Sequence, residues 1–288
     1  MARLFERVTI AGVGLIGGSL ALAAREAGLV GEVVGLARRP ETLAEALRRG
    51  LVDRASSDPA EAAQGADLLL LAVPVRAIAS VGRQCLPSLA PGAVVSDAGS
   101  VKGAVVRELD ALVSPAGRRF VGAHPIAGTE EQGPGAADAT LFRGRLCILT
   151  PSAQTDAAAA DRVQALWEGV GMRVERMSPE QHDDVLAAVS HLPHVLAFAL
   201  MNALATANID FARYGGGSLR DATRVASSSV EMWRDILLVN GAAVEQALAR
   251  FTGEVERLRD AIRQGDEAGV TELLTRASRL RRGWGGRA

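Results

Sequence analysis

Three of the four histidines in this chain lie in segments where polar residues interrupt apolar sequence. His124 belongs to "GAHPIAGTEEQG", and His191 and His194 belong to "SHLPHVLAFAL". Another polar segment, "SDAGSVKG", contains Ser100 and, like that of His124, follows a predicted strand. Histidine can accept a proton near neutral pH, because its unperturbed pKa is about 6.5. Since ligands of doubly wound sheets bind where strands end, we expect His124 and Ser100 at a site of proton transfer.

Neither His182 nor His194 is expected to take part in the chemistry. His182 lies in the acidic sequence "EQHDD" at the start of a predicted helix, and we expect it to be solvated. His194 has apolar neighbours, and we expect it to pack rather than to react.

A segment rich in arginine, "GGGSLRDATRVASSSVEMWRDI", follows later in the chain. Arg220 and Arg224 are four residues apart, so any helix there places both on one face. Two fixed cations on one face can bind a substrate that carries carboxylates, through charge-assisted hydrogen bonds.

The sequence "GVGLIGGSLA" near the start of the chain has the spacing G-x-G-x-x-G. It follows a strand pattern and opens a helical pattern, which is the context that a dinucleotide-binding turn requires. The first glycine allows the tight turn, the second admits the pyrophosphate, and the third lets helix and strand pack closely. The residues expected to line the cofactor here are Gly12, Gly14, Leu15, Ile16, Gly17, Val73 and Pro74.

The position where a carboxylate commonly binds the ribose of NAD holds Ala37, which lies 20 residues past Gly17. Arg38 and Arg39 follow it. An arginine can pair with a 2′-phosphate, which a carboxylate would repel. The sequence therefore favours NADP over NAD, with Arg38 as the main phosphate-binding residue.

Residues 1–176 alternate apolar strand patterns with amphipathic helical patterns, and 177–288 contain helical patterns only. The alternation predicts a mostly parallel sheet with helices on both faces. We thus predict an α/β chain with an N-terminal Rossmann-type doubly wound sheet (1–176) and an all-helical C-terminal dimerisation domain (177–288). Apolar residues in the second part step by four and three from Val244 to Ile262, which is typical of a helix that packs against another helix.

Composition excludes several classes of protein. A net charge of -1 argues against a general nucleic-acid binder. The two cysteines, Cys85 and Cys147, lack the neighbours of a disulfide framework or a zinc site, so we expect free thiols, no metal and a cytoplasmic location. No signal peptide is recognised, and no stretch approaches the roughly 20 apolar residues of a membrane span.

Five motifs in order, "GVGLIGGSLA", "DAGSVK", "GAHPIAGTE", "SHLPH" and "RDATRVASS…MWRD", resemble the prephenate and arogenate dehydrogenase family of tyrosine biosynthesis. The resemblance covers residues 8–266. It implies a dinucleotide domain joined to a helical dimerisation domain, a homodimer, and oxidative decarboxylation of a cyclohexadienyl substrate with formation of NAD(P)H.

The resemblance also implies roles for individual residues. His124 accepts the proton of the ring hydroxyl as hydride leaves, and Ser100 contacts the same hydroxyl. His191 lines the substrate site, and Arg224 binds a substrate carboxylate.

Four further residues belong to the site by the same resemblance. Arg220 stands where the family has a basic residue at the mouth of the site. Glu130 and Asp221 match acidic residues of a gating network. Trp233 matches an aromatic residue that, in the family, can reach the active site of the other subunit.

Alternatives remain open at this stage. We favour prephenate, although arogenate or both could be substrates, since no carboxylate for an amino group can be located. Another Rossmann reductase, such as a β-hydroxyacid dehydrogenase, would need a catalytic lysine in the second domain, where none occurs. A non-catalytic NADP-binding protein would need none of the polar motifs.

Overall fold

The computed structural model describes residues 3–129 and 131–284. Eight strands form one sheet in the order β3-β2-β1-β4-β5-β6-β7-β8. The strands are β1 (Phe5–Ala11), β2 (Val30–Leu36), β3 (Arg54–Ser56), β4 (Leu68–Leu71), β5 (Val94–Asp97), β6 (Arg119–Pro125), β7 (Leu146–Thr150) and β8 (Arg173–Arg176). Strands β1 to β6 are parallel, β7 runs antiparallel to β6, and β8 is parallel to β7. The predicted doubly wound sheet is confirmed; the three-residue β3 and the reversed β7 were not foreseen.

Helices cover both faces of this sheet or follow it in the chain. They are α1 (Leu15–Glu26), α2 (Pro40–Arg48), α3 (Pro59–Ala63), α4 (Ile78–Cys85), α5 (Gly103–Val113), α6 (Ala157–Gly169), α7 (Pro179–Leu186), α8 (Leu192–Thr206), α9 (Phe211–Tyr214), α10 (Gly217–Thr223), α11 (Val230–Val239), α12 (Gly241–Gln264) and α13 (Glu267–Trp284). Apolar side chains of α1, α2 and α6 form one core with the sheet, and those of α3, α4 and α5 form the other. All four leucines of Leu68–Leu71 are buried between these layers, as expected for a central parallel strand.

Helices α7 and α8 form one continuous helix that contains a π-helical turn, Ala187–His191. The helix begins with Pro179 in its first turn, and the Ser178 hydroxyl accepts from the N–H of Gln181. Pro193 lacks a backbone N–H and lies just after the π turn, so it leaves one carbonyl of that turn without its usual helical donor.

The same helix corrects an expectation about apolar segments. By length and composition, Pro179–Thr206 is long and apolar enough to cross a membrane. The sequence prediction overlooked it because His182, Asp183 and His191 interrupt the apolar pattern. In the fold these three side chains are buried and hydrogen-bonded within the protein.

Contacts divide the chain into two compact units, Met1–Gly241 and Ala242–Ala288. The second unit consists of most of α12 together with α13, and Arg276 of α13 pairs with Glu254 of α12 at 2.7 Å. Val255 and Ile262, two members of the predicted apolar series, are exposed on α12. The domain boundary at residues 176 and 177 stays a prediction.

Candidate active site

The turn Gly12–Gly17, called the cofactor turn below, requires glycine at its first and last positions. Gly12 has a φ of +95°, and a Cβ there would lie 2.2 Å from the carbonyl oxygen of Ala72. A Cβ on Gly17 would lie 2.2 Å from the carbonyl oxygen of Gly12. The turn is therefore fixed by close backbone contacts between β1, α1 and the end of β4.

Gly14 has a different environment, because among the described residues no heavy atom beyond its chain neighbours and its own helix backbone would lie within 4 Å of a Cβ at this position. It is the residue before α1, no side chain caps the helix there, and the first turn contains no acidic residue. This open, positive helix end fits a pyrophosphate. Leu15 and Ile16 start the helix half-buried beside it.

The predicted residues at neighbouring strand ends also reach this edge of the sheet. The N–H of Gly12 donates to the carbonyl of Leu36 at 2.8 Å, so the cofactor turn starts beside the loop of Arg38 and Arg39. Both arginines are exposed, and in the described part of the chain neither side chain has an assigned hydrogen bond or ion pair. Val73 and Pro74 follow β4 next to the turn. This arrangement fits a dinucleotide with or without a 2′-phosphate.

His124 lies near the end of β6 and contacts a second histidine, His182 of α7. The Nδ1 of His124 is 2.8 Å from the Nε2 of His182, and the rings meet edge to face. Burial lowers the pKa of His124 well below 6.5, and the nearby His182 and Lys102 lower it further. His124 is therefore neutral at pH 7 and can accept a proton. The expectation that His182 is solvated is wrong, because its side chain is fully buried.

Asp183 of α7 links this histidine pair to the N-terminus of α5. Its carboxylate accepts from the N–H of Lys102 at 2.7 Å, from the N–H of Gly103 at 2.8 Å and from Nδ1 of His182 at 2.8 Å. Burial acts to raise the pKa of Asp183, but these hydrogen bonds outweigh it and the pKa falls below 3.8. An ionised carboxylate thus satisfies the helix end and orients His182.

A buried ion pair stabilises the loop that carries Ser100. The Nζ of Lys102 donates to Asp97 at the end of β5 and, at 2.8 Å, to the carbonyl of Ala123. The Ala123 N–H donates back to Asp97 at 3.2 Å. These bonds tie the loop of β5 to the residue before His124, with Ser100 half-buried in that loop. Burial lowers the pKa of Lys102, although Asp97 opposes this shift.

His191 occupies the π-helical turn and is buried against Trp233 and Asn240. The Nδ1 of His191 lies 3.1 Å from Nδ2 of Asn240, and burial lowers the pKa of His191 to about 4. Trp233 meets His191 edge to face and stacks on His194 at 3.5 Å between ring centroids. His194 therefore packs, as expected. Within its own chain Trp233 is buried rather than extended.

The arginine segment lies at the end of α10. Arg220 is on the helix and Arg224 is the residue that ends it, so the two are one turn apart and both are exposed. Arg224 is close enough to His194 for its charge to lower the pKa of that histidine, in addition to the effect of burial. Asp221 is also exposed. Glu130 lies outside the described residues.

Sequence reasoning missed four polar residues that organise the site: Asp97, Lys102, Asp183 and Asn240. Lys102 could have been noticed in the sequence, because it is the single lysine among 32 basic residues. A lone lysine of this kind is unusual for a surface role. Asp183 and Asn240 gave no such signal, since their partners are brought together only by the fold.

The first six strands form a parallel sheet in the order 3-2-1-4-5-6, and a glycine turn opens at a helix end beside it. A buried pair of histidines, one near the end of β6 and one on α7, lies at the same sheet. These features define the Rossmann-type class of dinucleotide-binding proteins. Family models agree with this description. Residues 20–176 match the prephenate dehydrogenase nucleotide-binding domain, and residues 178–276 match the prephenate dehydrogenase dimerization domain.

Individual relatives cover almost the whole chain. A cyclohexadienyl dehydrogenase of Zymomonas mobilis is 38% identical over 284 residues, which is 96% of each chain. A crystal structure of Aquifex aeolicus prephenate dehydrogenase with hydroxyphenyl propionate and NAD+ has a TM-score of 0.91 and 38% identity, covering 96% of this chain and 98% of that one. Synechocystis arogenate dehydrogenase has a TM-score of 0.83 and 28% identity, covering 96% and 99%. The chain belongs to the prephenate dehydrogenase family.

Proposed function

We propose that this protein oxidises prephenate to 4-hydroxyphenylpyruvate and carbon dioxide, with transfer of hydride to a nicotinamide dinucleotide, in tyrosine biosynthesis. The observation that carries the proposal is the neutral, buried His124 on the same sheet edge as the cofactor turn. Loss of carbon dioxide makes the ring aromatic, so the reaction is downhill. The protein mainly has to orient the substrate and remove one proton.

The cofactor supplies the hydride acceptor when it is bound. Gly12 and Gly17 shape the turn, and the open backbone at Gly14, with Leu15 and Ile16, receives the pyrophosphate. Val73 and Pro74, which follow β4 next to the cofactor turn, line the other side of the cofactor site.

We assign a preference for NADP over NAD to the loop after β2. Ala37 carries no charge to repel a 2′-phosphate, and the exposed Arg38 and Arg39 are available to bind it.

The proton moves to His124 while the substrate carbon loses hydride. The ring hydroxyl donates to Nε2 of His124, which is the ring nitrogen not used in the contact with His182. Ser100, in the loop fixed by Lys102 and Asp97, contacts the same hydroxyl.

Charged groups bind the two carboxylates of the substrate. Arg224 binds one directly, and Arg220 attracts the dianion from the mouth of the site. His191 and Trp233 line the substrate, and Asp221 and Glu130 belong to the entrance.

We assign a homodimer formed through the helical part of the chain. The matched dimerization domain and the exposed apolar residues Val255 and Ile262 of α12 support this assignment. The two buried free thiols, Cys85 and Cys147, favour the cytoplasm as the location.

A second candidate function is oxidation of arogenate to tyrosine, alone or beside prephenate. The similarity to the cyclohexadienyl dehydrogenase of Zymomonas mobilis favours dual use.

The test is an absorbance assay at 340 nm in which prephenate and arogenate are each combined with NAD+ and NADP+. We expect the highest rate with prephenate and NADP+, and a rate at least about 100-fold lower for His124→Asn. If none of the four pairs gives NAD(P)H, the dehydrogenase assignment fails. A higher rate with arogenate would replace the substrate, and a higher rate with NAD+ would replace the cofactor.

A further inference from the structure

A chain of hydrogen bonds leads from the first turn of α5 to the ring of His124. The Asp183 carboxylate accepts two backbone N–H bonds from α5 and a third bond from Nδ1 of His182. The Nε2 of His182 then meets Nδ1 of His124 at 2.8 Å. All three side chains are buried, so bulk water cannot take the place of any of these partners.

Donor and acceptor rules fix where the hydrogens lie in this chain. Asp183 is ionised and can only accept, so Nδ1 of His182 carries the hydrogen. A neutral His182 then has a bare Nε2, which must accept from Nδ1–H of His124. The remaining nitrogen of His124, Nε2, has no hydrogen and is free to accept one.

Asn240 fixes His191 in the tautomer opposite to that of His124. The amide nitrogen Nδ2 of Asn240 donates to the main-chain carbonyl of Asp183 at 3.0 Å, which identifies that atom as nitrogen. The same atom lies 3.1 Å from Nδ1 of His191. Nδ1 of His191 must therefore accept, and a neutral His191 carries its hydrogen on Nε2.

We propose that Asp183, His182 and Asn240 are positioning residues that hold the two site histidines in opposite tautomers, so that Nε2 of His124 accepts a proton and Nε2–H of His191 donates a hydrogen bond. The use of these tautomers in catalysis rests on the function proposed above. The tautomers themselves follow from hydrogen bonds within the protein.

The same series of hydrogen bonds allows the positive charge created by proton abstraction to move from His124 to His182. When Nε2 of His124 takes the hydroxyl proton, Nδ1–H of His124 can pass its own proton to Nε2 of His182. The positive charge then lies on His182, which keeps its Nδ1–H bond to Asp183. Lys102 disfavours a cation on both rings, but Asp183 and Asp97 favour a cation on His182 only. The charge is therefore better placed on His182 than on His124.

Nuclear magnetic resonance of the protein labelled with ¹⁵N-histidine reads each tautomer directly, and the four histidines can be resolved. At pH 7.5 we expect Nδ1–H on His124, His182 and His194, whose Nδ1 donates to the carbonyl of Ser190, and Nε2–H on His191 alone. Single His→Gln variants assign the signals. Nε2–H on His124, or Nδ1–H on His191, would overturn the proposal.

Asp183→Asn tests the origin of the tautomers, with the exposed neighbour Asp184→Asn as its matched control. An amide at position 183 can donate to His182, which would move both hydrogens along the chain and leave His124 with Nε2–H. We expect kcat to fall by about 100-fold or more, with cofactor Kd unchanged and the tautomer of His124 reversed. Unchanged tautomers and unchanged kcat in a folded Asp183→Asn would refute the proposal.

His182→Gln keeps the inference testable if Asp183→Asn does not fold. Glutamine can accept from Nδ1–H of His124 but cannot hold the positive charge, so we expect the tautomer of His124 to remain while kcat falls by about tenfold. Wild-type kcat in this variant would remove the charge-holding role. Expected tautomers in a protein without dehydrogenase activity would refute the proposed function and leave the tautomer assignment standing.

Discussion

The two halves of the candidate site are built by different means. The cofactor turn is made of backbone: Gly12 and Gly17 permit close packing, and Gly14 leaves a helix end open. The histidine cluster, His124, His182, His191, Asp183 and Asn240, is made of buried side chains that satisfy one another. The first recognises a ligand through geometry that short sequence spacing sets. The second holds protons in place, which needs partners from distant parts of the chain.

The largest effect is expected in the histidine cluster. His124→Asn removes the proton acceptor, and we expect kcat to fall roughly 100- to 10,000-fold because general-base catalysis is lost. The cofactor Kd should stay nearly constant, since the cofactor turn is separate. Steady-state kinetics and cofactor titration measure both, and an unchanged turnover would remove His124 as the base.

Lowering the pH should protonate the buried histidines and thereby lower the free energy of unfolding. Burial lowers the pKa of all four histidines, that of His191 to about 4, whereas unfolded histidines titrate near 6.5. Between pH 6.5 and 4 the unfolded chain binds more protons, so stability present above pH 6.5 is lost as the pH falls. His191 alone accounts for roughly 3 kcal/mol. Thermal denaturation at several pH values measures this loss, and His191→Gln should show a shallower fall in Tm.

Substitutions at two glycines of the cofactor turn distinguish an effect on folding stability from an effect on cofactor binding. Gly12→Ala places a Cβ against the Ala72 carbonyl at positive φ, and we expect a loss of about 2 kcal/mol or more in unfolding free energy. The new methyl group of Gly14→Ala meets no other described part of the chain, so the free energy of unfolding should change by less than about 0.5 kcal/mol. Cofactor Kd in Gly14→Ala should rise by about tenfold, or 1.4 kcal/mol. Equal cofactor Kd values for wild type and Gly14→Ala would show that the ligand does not approach this backbone.

The proposed carboxylate-binding residue, Arg224, is close enough to His194 to lower the pKa of that histidine. Arg224→Ala should raise the KM for prephenate by about tenfold because a charge-assisted bond to a carboxylate is lost. Arg213→Ala, on α9, is the control and should leave KM unchanged. If only the cofactor Kd changes in Arg224→Ala, this arginine belongs to the other half of the site.

The smallest effect is expected for cofactor choice. Replacing Ala37 with Asp and Arg38 with Ile should lower the preference for NADP+ over NAD+ several-fold, since a carboxylate repels the 2′-phosphate and its partner is lost. Arg39→Ile serves as a comparison and should change the preference less. The kcat/KM values for the two cofactors measure it, and full NADP+ use by the double variant would make this stretch an ordinary loop.

The sequence predicted the local parts of this structure well. The cofactor turn and the alternation of strands and helices both depend on residues that are neighbours in the chain. Strand β3 was missed because three residues are too few to show alternation, and the direction of β7 depends on pairing across the sheet.

The histidine cluster shows why the rest of the site could not be predicted. His182 has glutamate and aspartate neighbours in sequence, which suggested a solvated helix start. Burial instead follows from packing of α7 against α5 and β7, and this brings His182 to His124 over 58 residues of chain. Asn240 reaches His191 over 49 residues. Tertiary contacts of this range leave no periodic signal.

The single lysine of the chain, Lys102, is completely buried in its pair with Asp97. No lysine side chain of the folded protein is therefore accessible to reagents that acylate amines. Because opening of the core around β5 and β6 would expose one such group, labelling of Lys102 over time would report how often this part of the protein opens, without background from any other lysine.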